Sequence, residues 1–191
     1  NALLNAKSAV DSAQTTALIT DAVVKGADEL RAVAEAARRG DASAKTQQIA
    51  AAESAINDRH ASAKATIEAL EHLDATKKEA LLGQIDAIRD GAKTDLASTE
   101  SAEDIESARK DATDLLTKIE NDAIAEDLSV AKAEAAQQLE DAKKEFDATV
   151  DGFKYLDEAQ KQNAKNDVAA KVNEALTAVN EADDPDDVKR A

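Results

Sequence analysis

Apolar residues recur at steps of three and four along nearly the whole chain, and nowhere do they alternate at period two for long enough to indicate a strand. This pattern predicts an all-α fold. The predicted helices cover residues 2–17, 21–39, 42–72, 75–98, 102–154 and 158–182, and a further helix begins at residue 185.

The longest uninterrupted helical stretch runs from Ala102 to Lys154, with no proline and with Gly152 as its only glycine. About 53 residues at ~1.5 Å rise make a helix roughly 80 Å long. A compact domain of this size has a radius of gyration near ~16 Å, so the helix does not fit inside one. We therefore expect a rod, and the alternative is a single helical bundle folded back on itself.

Helix starts are marked by short polar residues that can accept hydrogen bonds from free first-turn amides. Asp74 and Asp157 each follow a leucine, and Ser101 and Asp184 each precede a first turn that carries acids. We also expect a cap at Thr20 and a helix break at Gly40-Asp41.

An internal repeat links the two Leu-Asp junctions, which lie 83 residues apart. The offset holds without a gap over the next forty residues, and it pairs Ile67 with Val150, Leu70 with Phe153, Ile85 with Val168, Leu96 with Val179, Ser101 with Asp184 and Ile105 with Val188. A looser upstream copy begins at Ile19-Thr20-Asp21. Repeats of helices this long indicate stacked units whose cores continue from one to the next.

Three bundles sharing long helices end to end, as in a spectrin-like rod, account for the repeat. We place the first three-helix bundle at residues 1–56, the second at 57–122 and a third, incomplete one at 123–191. The apolar stripe skips five places between Ile119 and Ile124, where a shared helix would turn its apolar face toward new partners.

Composition supports slender helical contacts. Alanine accounts for 45 residues, whereas Leu, Ile, Val and Phe together make up only about 19% of the chain. The 24 basic and 40 acidic residues give a net charge of −16, which disfavours nucleic acid and anionic membranes as partners. The chain begins with Asn, so we expect it to be a segment of a longer protein.

Few side chains are candidates for catalysis or metal binding, and we expect no catalytic residue, no metal site and no cofactor. The two histidines, His60 and His72, lie twelve residues apart on one predicted helix, and we assign both to a solvated face. The acidic run Asp183–Asp187 lacks the alternating ligands and central glycine of a calcium loop, so helix capping explains it better. Phe146, Phe153 and Tyr155 are expected in the core, and the alternative is a partner-binding patch.

The segment from Ala65 to Ala108 resembles the tandem three-helix repeats of Gram-positive cell-wall-anchored adhesins. The resemblance lies in Ala65–Leu70, Leu73-Asp74, Lys77–Ala80, Gln84–Asp86, Ala92 and Ser101–Ile105, and it returns from Phe153 to Val188. These adhesins include extracellular-matrix-binding and biofilm-associated surface proteins.

The resemblance implies a non-enzymatic, monomeric stalk on the cell-wall-anchored surface of a Gram-positive bacterium, which projects a binding domain and contributes to adhesion or biofilm. A second hypothesis is a three-helix module that binds a host serum or extracellular-matrix protein, since Thr99–Leu115 resembles the last helix of the albumin-binding modules. A third, an amphipathic protein on a lipid surface, is disfavoured by the narrow apolar faces and the negative charge. We expect no membrane insertion.

Small-angle X-ray scattering on residues 1–191 tests the rod. The uninterrupted helix from Ala102 to Lys154 requires a maximum dimension of at least about 80 Å. A value near about 45 Å would mean that this stretch folds back on itself within a compact bundle.

Overall fold

The computed structural model describes residues 2–12 and 16–191, and within these ranges the chain forms helices and no strands. The helices are α1 (Ala2–Ser12), α2 (Thr16–Ala69), α3 (Ala75–Ser98), α4 (Ala102–Asp151), α5 (Glu158–Glu181) and α6 (Pro185–Arg190). The predicted all-α fold and the single long helix after Ser101 are therefore confirmed. None of the described helices has a stretch apolar enough to span a membrane.

The predicted breaks at Thr20 and Gly40 are wrong, because α2 runs through both as one helix of 54 residues. The first helix ends at Ser12 and α2 begins at Thr16, while residues 13–15 lie outside the described residues. Gly40 costs α2 about 1 kcal/mol relative to alanine. Ending a helix and starting another would leave eight backbone groups without helical partners, and no side chain packs near Gly40 to support a turn there.

The four other predicted caps are confirmed by their hydrogen bonds. The Asp74 carboxylate accepts from the amide of Lys77 at 2.8 Å, and Asp157 forms a capping box with Gln160. Ser101 and Asp104 exchange hydrogen bonds of 3.1 Å, and Asp184 accepts from the amide of Asp187. These helices begin where their own first turns supply a partner for the free amides.

The 83-residue repeat is also present in contacts that the sequence does not show directly. Lys78 of α3 donates to the carbonyl oxygens of Glu68 and Leu70 at the end of α2. Its counterpart Lys161 of α5 donates to the carbonyl oxygen of Asp151 at the end of α4, at 3.2 Å. Each lysine places a positive charge at the negative end of a helix. The first repeat (residues 45–107) and the second repeat (residues 128–190) therefore share a cap as well as a register.

Two compact units make up the described chain. The first comprises residues 1–55 and 93–109. Within it, α1 packs so closely on α2 that a Cβ at Gly26 would lie 2.4 Å from the Cβ of Ala6. Glycine is required at this position because any side chain would push the two helices apart.

The second unit comprises residues 56–92 and 110–191 and holds most of the buried side chains. Here α4 presents Ala112, Leu116, Ala123, Asp127 and Ala131 to the interior. The predicted interior residues Leu115 and Ile124 are instead 50% and 41% exposed. The buried positions follow one another at steps of seven and four, so the inferred five-residue skip is wrong. The sequence suggests a skip because several buried positions of α4 hold small alanines and one holds an aspartate, and these residues do not stand out as an apolar stripe.

Asp127 fixes the turn between α2 and α3. Its side chain is only 2% exposed, and one carboxylate oxygen accepts from the backbone amides of His72 at 2.7 Å and Leu73 at 2.9 Å. Both amides belong to the turn and have no helical partner. A buried carboxylate is tolerated because these hydrogen bonds replace its hydration. Through them α4 determines where α2 ends.

A second polar cluster joins α2 to α4 about two helical turns away from Asp127. Arg59 donates to Thr117 at 2.9 Å and pairs with Glu120, which also accepts from Thr66 at 2.6 Å. Burial alone would raise the pKa of Glu120, but the hydrogen bonds from Arg59 and Thr66 and the charge of Arg59 outweigh it and lower that pKa. The ionised form of Glu120 therefore stabilises the fold.

Replacing Asp127 by alanine should destabilise the protein by about 2–3 kcal/mol, because the amides of His72 and Leu73 would stay buried without a partner. Urea unfolding followed by circular dichroism measures the change. The control is Asp122→Ala, which removes an exposed carboxylate paired with Lys118 and should cost less than about 0.5 kcal/mol. Equal losses in the two variants would contradict the role assigned to Asp127.

Stability should fall in acid partly through Glu120. Because its folded-state pKa lies below the ordinary 4.5, its contribution is complete above that pH and is lost as the pH falls through the lower folded value. Urea midpoints measured between about pH 7 and pH 3 should fall less steeply for Glu120→Gln than for the wild type. Glu140→Gln, which changes an exposed carboxylate on the same helix, is the control and should leave the slope close to that of the wild type. An unchanged slope for Glu120→Gln would refute this assignment.

Candidate binding surface

The aromatic residues do not form a core cluster. Phe146 is half-buried on α4, whereas Phe153 is 48% exposed and Tyr155 fully exposed in the turn between α4 and α5. The expectation that these last two fill a core is wrong. In the first repeat the corresponding turn is covered by α4. In the second repeat α6 has only six residues, about 9 Å, and begins at the far end of α5.

Both histidines are partnered, and the prediction of a solvated face is wrong. His60 is buried on α2, and its Nε2 lies 2.9 Å from a carboxylate oxygen of Asp86 on α3. His72 lies beyond the end of α2, and its Nδ1 is 2.8 Å from Glu134 of α4. Each ring thus links two segments of the second unit. Within the described residues no three histidine or acidic side chains come together as a metal site would require.

The acidic run at residues 183–187 supplies the cap and the first turn of α6. Asp184 caps α6 and Asp187 pairs with Arg190 at the helix end, while Asp186 lies near Lys189. Three of the four aspartates in this run therefore have a partner within the fold.

The outer face of α3 is smooth and uncharged. It consists of small residues at steps of four and three, which we call the α3 stripe: Thr76, Ala80, Gly83, Ala87 and Gly91. All five are exposed, and they lie on the side of α3 opposite the buried Leu81 and Ile85. In a chain of net charge −16, the α3 stripe is a charge-free surface of about four helical turns.

The two glycines of the α3 stripe have no role within the fold. Neither has a positive φ, and a Cβ built at Gly83 or Gly91 would meet no atom within 4 Å. Each costs the helix about 1 kcal/mol relative to alanine. The two glycines therefore lower the stability of the helix without serving a contact inside the chain. This combination indicates that another molecule approaches the backbone of α3 closely at these positions. The sequence contained this signal, since two glycines eight residues apart interrupt an otherwise favourable helix, but the prediction overlooked it.

The corresponding face of α5 has a different character. The residues 83 positions further on are Ala159, Asn163, Asn166, Ala170 and Glu174. They are exposed as well, but two carry amides, and Glu174 is charged and pairs with Lys171 at 2.7 Å. The two repeats therefore share a framework and differ in the surface it presents.

A family model for the GA module matches the chain twice, at residues 53–98 and 136–187. The two matches begin 83 residues apart, as the repeat predicts. The first covers the end of α2 and all of α3, and the second covers the end of α4, α5 and the start of α6. Thr99–Leu115, which resembled the last helix of an albumin-binding module, lies outside both matches. No curated protein and no solved structure matches the chain.

GA modules are three-helix albumin-binding modules of Gram-positive surface proteins, and they form a family of binding domains rather than enzymes. The adhesin repeat family that the sequence resembled is not confirmed, whereas the three-helix repeat of a bacterial surface protein is. The two matches together span just over half of the residues, and the chain therefore belongs to the GA-module family.

Proposed function

We propose that this chain binds serum albumin and that the α3 stripe is the contact surface. The observation that carries the proposal is the double match to the GA module, a family whose members bind albumin. The α3 stripe lies wholly within the first match and is the one uncharged face of α3 that the fold does not use. The chain then acts by binding alone, without catalysis.

A smooth helical face suits this role for physical reasons. Small side chains let another surface approach the helix backbone and exclude water along about four turns. Without charges on the stripe, no ionised group has to be desolvated when a partner covers it. The acidic residues Glu79, Asp86 and Asp90 lie along one edge, where they remain in solvent. Binding would then depend on shape and apolar burial, with the charged edge limiting which proteins can dock.

The same chain also suits a spacer in a surface protein anchored to the cell wall. Within the second unit, α4 contributes residues that bond to α2 and α3, and it then continues as the first helix of the second match. No flexible linker separates these two parts of α4. A stalk of such repeats would hold a binding domain away from the wall. Adhesion and biofilm formation are the processes that this arrangement would serve.

The turn with Phe153 and Tyr155 is the competing contact surface, since exposed aromatic residues often anchor interfaces. It lies within the second match, where the α5 face is polar. The third aromatic residue, half-buried Phe146, lies near this turn in the sequence, toward the end of α4. If this turn binds the partner, the α3 stripe is not needed.

Calorimetric titration of residues 1–191 with human serum albumin tests the proposal. The wild type should bind, and Ala87→Arg should weaken binding at least about tenfold, because it places a long charged side chain in the middle of the α3 stripe. Arginine is a good helix former, so the fold should be retained. Ala170→Arg, the same change at the matching position of α5, should leave the affinity within about twofold.

The glycines give a second measurement on the same surface. Gly83→Ala and Gly91→Ala should each stabilise the protein by about 0.5–1 kcal/mol and still weaken albumin binding, since a methyl group holds the partner off. Gly40→Ala should stabilise α2 similarly without changing the affinity. Absence of albumin binding by the wild type would refute the function. Retained binding by Ala87→Arg, with loss in Tyr155→Ser, would move the contact surface to the turn.

A further inference from the structure

An apolar exposed surface lies outside both family matches, on the hairpin of α1 and the first part of α2. Eight of the thirteen large hydrophobic side chains exposed in the described part of the chain lie between residues 3 and 33. They include Leu3 at 67%, Val23 at 53% and Leu30 at 40% exposure. Clusters of this kind on a protein surface indicate a contact with another molecule.

The exposed side chains line a groove. A volume of about 520 Å³ lies between the two helices, bordered by Leu3, Ala6 and Val10 of α1 and by Val23, Ala27 and Leu30 of α2. Leu3 and Val10 are seven residues apart, as are Val23 and Leu30. This spacing on two packed helices leaves a seam into which the side chains of a further helix can insert.

The charge of the hairpin differs from that of the remaining chain. Residues 1–40 contain five acidic and five basic side chains and are neutral, so the whole net charge of −16 lies in residues 41–191. Two copies of the acidic part repel each other, whereas two hairpins do not. Two copies can therefore meet through their hairpins without net electrostatic repulsion between the contacting segments.

We propose that two copies of this chain dimerise through their α1–α2 hairpins and form a four-helix bundle. In an antiparallel two-fold arrangement, each copy supplies two helices and covers the groove of the other. Two-fold symmetry closes the interface, so the assembly stops at a dimer.

Charges at the rim of the groove fit this arrangement. Lys7 and Asp11 both border it and lie one helical turn apart on α1. When two α1 helices run antiparallel about a point midway between these residues, Lys7 of each copy faces Asp11 of the other. The face is thus self-complementary in charge as well as in shape.

The proposal departs from the monomer expected from the sequence. That expectation placed residues 2–39 inside a first three-helix bundle, with the apolar side chains turned to a core. In the described residues α2 continues through Gly40, and side chains of the hairpin such as Leu3, Val23 and Leu30 remain exposed. The proposal is independent of albumin binding, since the hairpin lies outside both family matches.

Sedimentation equilibrium of residues 1–191 from about 1 to 200 µM measures the assembly. The small face should give a dissociation constant on the order of 10 µM, with a mass that rises from 20.1 kDa toward twice that value. Val23→Glu with Leu30→Glu should remain monomeric throughout. Leu115→Glu, which changes an exposed leucine on α4 in the same way, should still dimerise.

Charge reversal tests the antiparallel pairing. Lys7→Glu should weaken dimerisation about tenfold, and Lys7→Glu combined with Asp11→Lys should restore it to within about twofold. A monomeric wild type, growth beyond the dimer, or a dimer that survives Val23→Glu with Leu30→Glu would each overturn the proposal. A monomer that floats with phosphatidylcholine vesicles would overturn it too and assign the groove to lipid. Circular dichroism confirms that each variant keeps its helices.

Discussion

A single buried carboxylate fixes the geometry on which the first repeat depends. Asp127 reaches from α4 into the turn after α2 and holds the amides of His72 and Leu73. The apolar contacts around it include small alanines, which bury little area and leave the helices free to slide. The directional hydrogen bonds of Asp127 determine two things that this alanine-rich core does not: the register of α4 against α2 and the place where α2 ends.

The two repeats show how one framework can carry different surfaces. Their caps, lysine contacts and register agree, since these features keep the helices in place. The outer faces are free of that constraint, and there α3 is smooth where α5 carries amides and a charge. The glycines of the α3 stripe lower the stability of α3, a cost that proteins accept where a surface serves binding. Tandem repeats in this chain therefore need not have equal affinity for a partner.

Charge and apolar surface are distributed unevenly along the chain. The acidic residues beyond residue 40 keep most of the surface solvated and mutually repellent, while the neutral hairpin exposes leucines and valines. The two surfaces proposed for contacts with other molecules, the hairpin and the α3 stripe, both lie in regions with little or no net charge. Such a division lets a strongly acidic chain associate without losing solubility.

The sequence by itself determined the helices, the caps at Asp74, Ser101, Asp157 and Asp184, and the 83-residue repeat, because each depends on side chains that act within a few residues of their own backbone. Only the tertiary structure decided which side of each helix is interior. It buried Leu116 and Asp127 and exposed Leu115, since alanine-rich helices have weak amphipathic patterns and the interior position follows from where the neighbouring helix lies. His60 was buried for the same reason, because Asp86 of α3 supplies its partner. In the same way, the sequence does not show that the α3 stripe is exposed. Its exposure follows from the packing of the opposite face of α3 in the interior.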